Sequence, residues 1–185
     1  IENKEIPEEI SKKLRASYYF MGALLGKYKK VEMYFPGGCS IGERPINLHL
    51  KGFEELGAKV TNVGNKYKVE AEKLVGNKIY LDIASVGATI NIMLAATYAE
   101  GITTIENAAR EPHIVNVATF LNQMGASIRG AGTSTITIKG VDSLNGAYTE
   151  VVPDYIEAGT YVLAGALIGD NLTIENLIPS HIESL

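Results

Sequence analysis

The single cysteine, Cys39, stands in Pro36-Gly37-Gly38-Cys39-Ser40-Ile41-Gly42-Glu43-Arg44-Pro45. A lone cysteine commonly fills a core. Gly37, Gly38 and Gly42 argue otherwise, because they strip the loop of side chains and let its backbone take positive φ and approach a ligand closely. Positive charge nearby favours the thiolate, which gives a thiol beside Arg44 a reason to act. Glu43 pulls the other way, and the sign of the net effect stays open.

Further positions carry possible chemistry. Asp82-Ile83-Ala84-Ser85-Val86-Gly87 leads into a helix whose free N–H groups and dipole can hold a phosphate or diphosphate. The same residues also read as a plain helix cap. In Asn107-Ala108-Ala109-Arg110-Glu111-Pro112, Arg110 and Glu111 are either site residues or a surface ion pair. Arg15 opens a small-residue helix, where a cation opposes the dipole, so it either faces an anionic ligand or decorates the helix end. Asp154, after Pro153, is a favourable charge at a helix start, and capping alone explains it.

The chain has 185 residues, 46% of them hydrophobic, enough for one large or two small domains with real cores. Its net charge is −4 with dispersed basic residues, which argues against a nucleic-acid surface. One cysteine makes no internal disulfide, in keeping with a reducing, cytoplasmic setting. His49, His113 and His181 lack ligand spacing, so neither metal nor cofactor is expected. Apolar stretches such as Ile90 to Ala99 are too short to span a bilayer, no signal peptide is visible, and no membrane partner is expected. The chain opens on Ile1, and a fragment or processed product is expected.

The elements that must position these residues repeat. Phe53-Glu54-Glu55-Leu56-Gly57-Ala58-Lys59-Val60 aligns with Phe120-Leu121-Asn122-Gln123-Met124-Gly125-Ala126-Ser127-Ile128, with one extra residue in the second copy. Pro45 pairs with Pro112. Gly22-Ala23-Leu24-Leu25-Gly26, Ala95-Ala96-Thr97-Tyr98-Ala99 and Gly165-Ala166-Leu167-Ile168-Gly169 are alike. The last two precede Thr104-Ile105-Glu106-Asn107 and Thr173-Ile174-Glu175-Asn176. A period of roughly 70 residues is longer than that of common solenoids and implies small α/β layers.

One full unit reads as a strand over 79–83, a helix from Val86 to Glu100 capped by Ser85 and ended by Gly101, and a strand over 102–106. A helix from Pro112 to Gly125 and strands over 126–129 and 135–139 complete βαβαββ. Residues 14–71 give the same order with the first strand expected upstream, and Tyr148 to Val152 is expected to open a third unit. The stretch Val86 to Thr97 is apolar nearly all round and must be buried on most faces, so helices inside and sheets outside are expected.

Taken in order, Leu14-Arg15-Ala16-Ser17, the cysteine loop through Pro45, Ser85-Val86-Gly87-Ala88-Thr89, Glu106 to Pro112 and Pro153-Asp154 resemble the UDP-N-acetylglucosamine enolpyruvyl transferase family. The resemblance covers essentially the whole chain, and its most specific part is the cysteine loop. It implies an inside-out α/β barrel of βαβαββ units in two lobes, truncated here. Residues 1–152 would be most of one lobe and residues 153–185 the incomplete start of the second. Members are more than twice this length, so an internal piece, inactive alone and open to self-association, is expected.

The implied reaction moves the enolpyruvyl group of phosphoenolpyruvate to the 3′-hydroxyl of UDP-N-acetylglucosamine by addition and elimination, the first committed step of peptidoglycan synthesis. Cys39 matches the family's general acid, which also forms an adduct with phosphoenolpyruvate and is the thiol alkylated by fosfomycin. Arg44 and Pro45 match residues that sandwich uracil, with Ile46, Asn47 and Leu48 beside them. Arg15 and Ile83, Ala84, Ser85 and Val86 match further nucleotide-sugar contacts; Glu111 and Asp154 are carried as substrate contacts. Some members have Lys at Ile83 and Asp at Asn47, and Ile83 can contact a phosphate only through its backbone. Alternatives are a 3-phosphoshikimate enolpyruvyl transferase relative, which would lack the cysteine loop, and a non-catalytic nucleotide-sugar-binding or assembly module.

Overall fold

Two stretches of the chain fold the same way in a computed structural model, which describes residues 5–37 and 45–185. The first runs β1 (Glu5–Ile6), α1 (Glu8–Lys13), a 3-10 turn (Arg15–Tyr18), α2 (Tyr19–Tyr28), β2 (Lys30–Tyr34), α3 (Asn47–Glu55), β3 (Lys59–Val63) and β4 (Lys66–Glu70). The second runs β5 (Lys78–Tyr80), α4 (Val86–Ala96), β6 (Ile102–Glu106), α5 (Pro112–Gln123), β7 (Ser127–Arg129) and β8 (Thr135–Lys139). Their sheets share one topology, β1-β2-β4-β3 and β5-β6-β8-β7. In each, the first pair is parallel and the rest antiparallel. The expected βαβαββ unit is therefore present twice. One correction concerns the first unit, whose opening strand is within the chain. It is β1, paired parallel to β2 as β5 is to β6, with α1 inserted before the next helix.

Alternation in the strands builds the sheets' inner faces. In β2, Val31 and Met33 are fully buried between half-buried neighbours, and in β8 Ile136 and Ile138 are fully buried between half-buried or exposed ones. Ile105 sits opposite Ile136, joining β6 and β8 across the core. Every residue of α4 except Val86 and Leu94 is buried, as its apolar sequence requires. Helix α2 lies against it, with Met21, Gly22, Leu24, Leu25 and Gly26 buried. The helices are inside and the sheets outside. Among the described residues the two sheets share no ladder and do not close into a barrel, because each keeps its own edges.

Three boundaries differ from the sequence reading. Strand β5 stops at Tyr80, whose partner Glu106 ends β6. Asn107 then turns at φ +55 and its side-chain N–H donates to the Leu81 carbonyl at 2.8 Å, replacing the ladder. Helix α4 stops at Ala96 rather than Glu100. The Thr97 hydroxyl takes the Met93 carbonyl at 2.9 Å, and Glu100 N–H donates to the Leu74 carbonyl instead of continuing the helix. Tyr148 to Val152 forms no strand. In both complete units the parallel pair is backed by an antiparallel hairpin, and two strands alone are marginal in water.

The residues divide into two compact units, Ile1–Tyr148 and Thr149–Leu185. The second holds α6 (Tyr155–Ile168) and a 3-10 turn, Pro179–His181. Asp154 caps α6, accepting from the N–H groups of Ile156 at 2.8 Å and Glu157 at 3.3 Å. Leu163, Leu167 and Ile168 are exposed, and Val162 is half-buried. Asn176 repeats the left-handed turn of Asn107, at φ +54, so the second copy of the Thr-Ile-Glu-Asn motif keeps its turn without its strand. Among the described residues no helix is long and apolar enough to cross a membrane.

The closest helix approach is at Gly22, whose Cβ would collide with the main-chain carbonyl and side-chain oxygens of Asn91. Gly22→Ala should lower stability by about 1–3 kcal/mol, the usual cost of overpacking. Gly146→Ala, in open space, should stay within about 0.5 kcal/mol of the parent. Urea denaturation of both variants checks this.

Candidate functional site

The cysteine loop leaves the fold at a fixed point. Phe35 N–H donates to the Asn65 carbonyl and Gly37 N–H to the Ser11 carbonyl, each at 2.9 Å. Gly37 presses on the Lys12 carbonyl with no room for a Cβ, a close approach to the chain's own backbone rather than to a ligand. Cys39 and Arg44 lie outside the described residues. The loop returns at Pro45, which is exposed, and Ile46, which is 3% exposed and part of the core. Any ligand contact from Ile46 therefore falls to its main chain. Asn47 is exposed and Leu48 half-buried at the start of α3.

Three segments named from the sequence converge here. Arg15 is in the 3-10 turn and not in the first turn of α2, which corrects the helix-end reading. Its guanidinium carbon lies 5.6 Å from the centroid of the Tyr18 ring. The Tyr18 ring meets the His49 ring edge-on at 4.7 Å. Both rings lie over Gly87 in the first turn of α4, where a Cβ would come within 2.7 Å of the Tyr18 hydroxyl and 2.8 Å of His49 Cε1. Arg15, the start of α3 and the N-terminus of α4 are thereby held as neighbours.

At that N-terminus the Ser85 hydroxyl accepts from Ala88 N–H at 3.3 Å, so the capping reading holds. The other first-turn N–H groups have no intrahelical partner. Ile83 is 70% exposed, Ala84 is exposed, and Ser85 and Val86 are half-buried. Lys51 of α3 pairs with Asp82 at 2.8 Å and holds its carboxyl below the usual range through that hydrogen bond. The pair is exposed and ties α3 to the turn before α4.

The second loop packs on the same helix. Ala109 N–H donates to the buried Thr89 hydroxyl at 3.1 Å, and Ala108 and Ala109 are buried. Arg110 is exposed, and among the described residues it forms no ion pair with Glu111. Among the described residues, one carboxylate oxygen of Glu111 is buried with no hydrogen-bond partner. A buried carboxylate oxygen without a donor is costly, and a ligand hydroxyl or cation would relieve it. Asp154 lies in the Thr149–Leu185 unit and is occupied as a helix cap.

The sequence reading missed Asn91 and treated His49 only as a possible metal ligand. Asn91 is fully buried in α4 and joined to His49, and an amide inside so apolar a helix was the available signal. Burial, then the charge of Arg15, pushes the His49 imidazole down to about 4 from its ordinary 6.5.

Because the folded value is depressed, the unfolded chain binds a proton first. Stability is full above 6.5 and is lost as pH falls from there towards about 4. At about 1.4 kcal/mol per unit the loss is roughly 3 kcal/mol. Urea titrations at pH 7 and pH 4.5 should show that loss in the parent and a smaller one in His49→Gln, whose side chain does not titrate.

The geometry is that of an anion cradle: a helix N-terminus with spare N–H groups, an arginine held beside it, and an exposed polar start of α3. Comparisons with known proteins show the family. The chain is 54% identical over 186 residues, covering all of this chain, to "UDP-N-acetylglucosamine 1-carboxyvinyltransferase 1" of Staphylococcus haemolyticus. It is 57% identical over 180 residues, or 97% of this chain, to "UDP-N-acetylglucosamine 1-carboxyvinyltransferase 2" of Bacillus subtilis. It spans 44% and 42% of those relatives' lengths. Among solved structures, the enolpyruvyl transferase NikO from Streptomyces tendae superposes with a TM-score of 0.74 at 22% identity. That match covers 88% of this chain and 39% of NikO and speaks for the fold. The family model for EPSP synthase (3-phosphoshikimate 1-carboxyvinyltransferase) matches residues 1–185 in full, and the chain belongs to that family.

Proposed function

We propose that this chain is the nucleotide-sugar-binding portion of a cytoplasmic UDP-N-acetylglucosamine 1-carboxyvinyltransferase. The observation that carries the reading is the 54–57% identity to transferases of that name over essentially the whole chain. The convergence of Arg15, Asn47–Leu48 and Ser85–Val86 supports it. In the reaction, the sugar 3′-hydroxyl attacks C2 of phosphoenolpyruvate while a proton is added at C3. The tetrahedral adduct then loses phosphate and a proton to leave the enol ether.

This chain's residues have separate tasks in that scheme. Backbone N–H groups at Ser85–Val86 and the Arg15 guanidinium hold the diphosphate. Arg44 and Pro45 clamp the uracil, with Ile46, Asn47 and Leu48 alongside, a planar guanidinium being suited to stacking on a base. Ile83 brings no charge, so its contribution there is main-chain. Glu111, with its unpartnered oxygen, accepts a hydroxyl from the substrate. Cys39 delivers the proton to C3, the general-acid role that its match to the family cysteine implies.

Two measurements test the reading. Titration with UDP-N-acetylglucosamine should perturb backbone amides at Arg15, Asn47–Leu48 and Ile83–Val86, whereas shikimate 3-phosphate should not. Equal binding of the two would move the chain to the shikimate branch of the fold. Fosfomycin, an epoxide that a thiolate opens readily, should add its mass at Cys39 in the presence of UDP-N-acetylglucosamine. Cys39→Asp should abolish the adduct. Mass spectrometry placing the adduct elsewhere would remove Cys39 from its role.

A further inference from the structure

Asn91 lies at the centre of α4, fully buried, and its amide is spent on three partners from three other segments. Gly22 N–H of α2 donates to Asn91 Oδ1 at 2.8 Å. A main-chain N–H needs an acceptor, so this bond fixes which way the amide faces. The Asn91 NH2 group then donates to the Tyr18 carbonyl at 3.1 Å and to His49 Nδ1 at 2.8 Å. His49 Nδ1 is therefore the acceptor, the ring is neutral, and its proton is on Nε2. No atom of the amide is left unsatisfied, which is the condition under which a buried polar network specifies one arrangement.

The segments joined by this amide are those that carry the proposed nucleotide contacts. Tyr18 closes the turn that begins with Arg15. His49 follows Asn47 and Leu48 in the first turn of α3. Asn91 stands on the helix whose N-terminal turn is Ser85–Val86–Gly87, and the His49 ring rests on Gly87. Asn91 is too deeply buried to touch substrate, and His49 is 5% exposed. We propose that Asn91 and His49 are positioning residues of the nucleotide-sugar site, holding the Arg15 turn, the start of α3 and the N-terminus of α4 in one binding geometry. The inference rests on the functional reading above.

Protonation of His49 would set an N–H against the Asn91 NH2 group and break the link. Among the described residues the groups facing the ring are few. The 3-10 turn presents the Arg15 charge and the Tyr18 hydroxyl, while α4 presents only the uncharged Asn91 and Gly87. Arg15 opposes the protonated ring, and no acid among them favours it.

The test uses the complete polypeptide and UDP-N-acetylglucosamine, with affinity measured calorimetrically from pH 4.5 to 8. The wild type should bind steadily near neutrality and weaken as pH falls towards the His49 titration. His49→Leu should bind about tenfold more weakly at pH 7.5, the loss expected of one unmet buried donor. His49→Gln, whose carbonyl can accept from Asn91, should recover to within about threefold and lose the acid limb. Nitrogen-15 shifts of the wild-type ring should show Nδ1 as the bare nitrogen. Should His49→Leu fail to fold, the decision passes to the His49→Gln profile and the ring tautomer. Wild-type affinity in folded His49→Leu, an unchanged acid limb in His49→Gln, or a protonated Nδ1 at pH 7.5 each overturns the proposal alone. Absence of binding by the wild type at every pH overturns the functional reading and this proposal with it.

Discussion

Contact between two helices that are apolar almost all round governs the structure. Helices α2 and α4 approach so closely that Gly22 has no space for a methyl group beside the Asn91 carbonyl. Gly26 is similarly tight against the last turn of α4 and the Tyr98 ring. Helix α4 is buried along almost its whole length and α2 along one face, with Phe20, Ala23 and Lys27 left exposed, and the sheets lie outside α4. Each sheet then presents its Val, Ile and Met residues inward, as β2 and β8 do. The repeated order of elements follows from this burial requirement: each unit supplies one helix for the interior and one four-stranded cover.

The same packing places the chemistry. Burying α4 lengthwise leaves its N-terminus at one end of the core, next to the turn that leads into α2 and to the start of α3. Arg15, Asn47 and Ser85 are far apart in sequence, yet Tyr18, His49 and Gly87 interlock to bring their segments together. At the opposite end of the helices, Lys29 takes a left-handed turn and gives its ammonium to the Gly26 and Tyr98 carbonyls. A cation there satisfies helix C-termini, just as an anion would be favoured at the N-termini. The helix ends thus differ in charge preference before any ligand is considered.

Several polar groups within this core are spent on joining elements. Asn91 links four segments, Thr89 holds the 107–111 loop through Ala109, and Asn107 ends a sheet ladder by bonding Leu81. Among the described residues a Glu111 oxygen, like the Ser17 and Thr103 hydroxyls, is buried without a hydrogen-bond partner, and of these three it is the one that belongs to a carboxylate. A residue whose polar demand is unmet within the fold is where a ligand gains most by supplying the missing partner.

Much of this was legible in the residues. Apolar periodicity and the glycine and proline punctuation located all the strands of the second unit and placed Ser85 and Pro112 at helix starts. Repetition of Thr-Ile-Glu-Asn marked two equivalent places, and the fold gives both the same left-handed turn, at Asn107 and Asn176. The cysteine loop stands out locally, as glycines around a thiol and an arginine, although Cys39 and Arg44 lie outside the described residues. What the sequence alone did not decide was anything resting on a partner. Strand β5 stops where its neighbour turns, α4 ends where Glu100 finds the Leu74 carbonyl, and Tyr148 to Val152 stays unpaired although it reads as a strand. The link between His49 and Asn91 belongs to the same class, for their 42-residue separation is closed only by packing α3 on α4. Local propensity and pattern are properties of the chain, whereas hydrogen-bond completion and desolvation are properties of what the fold brings alongside.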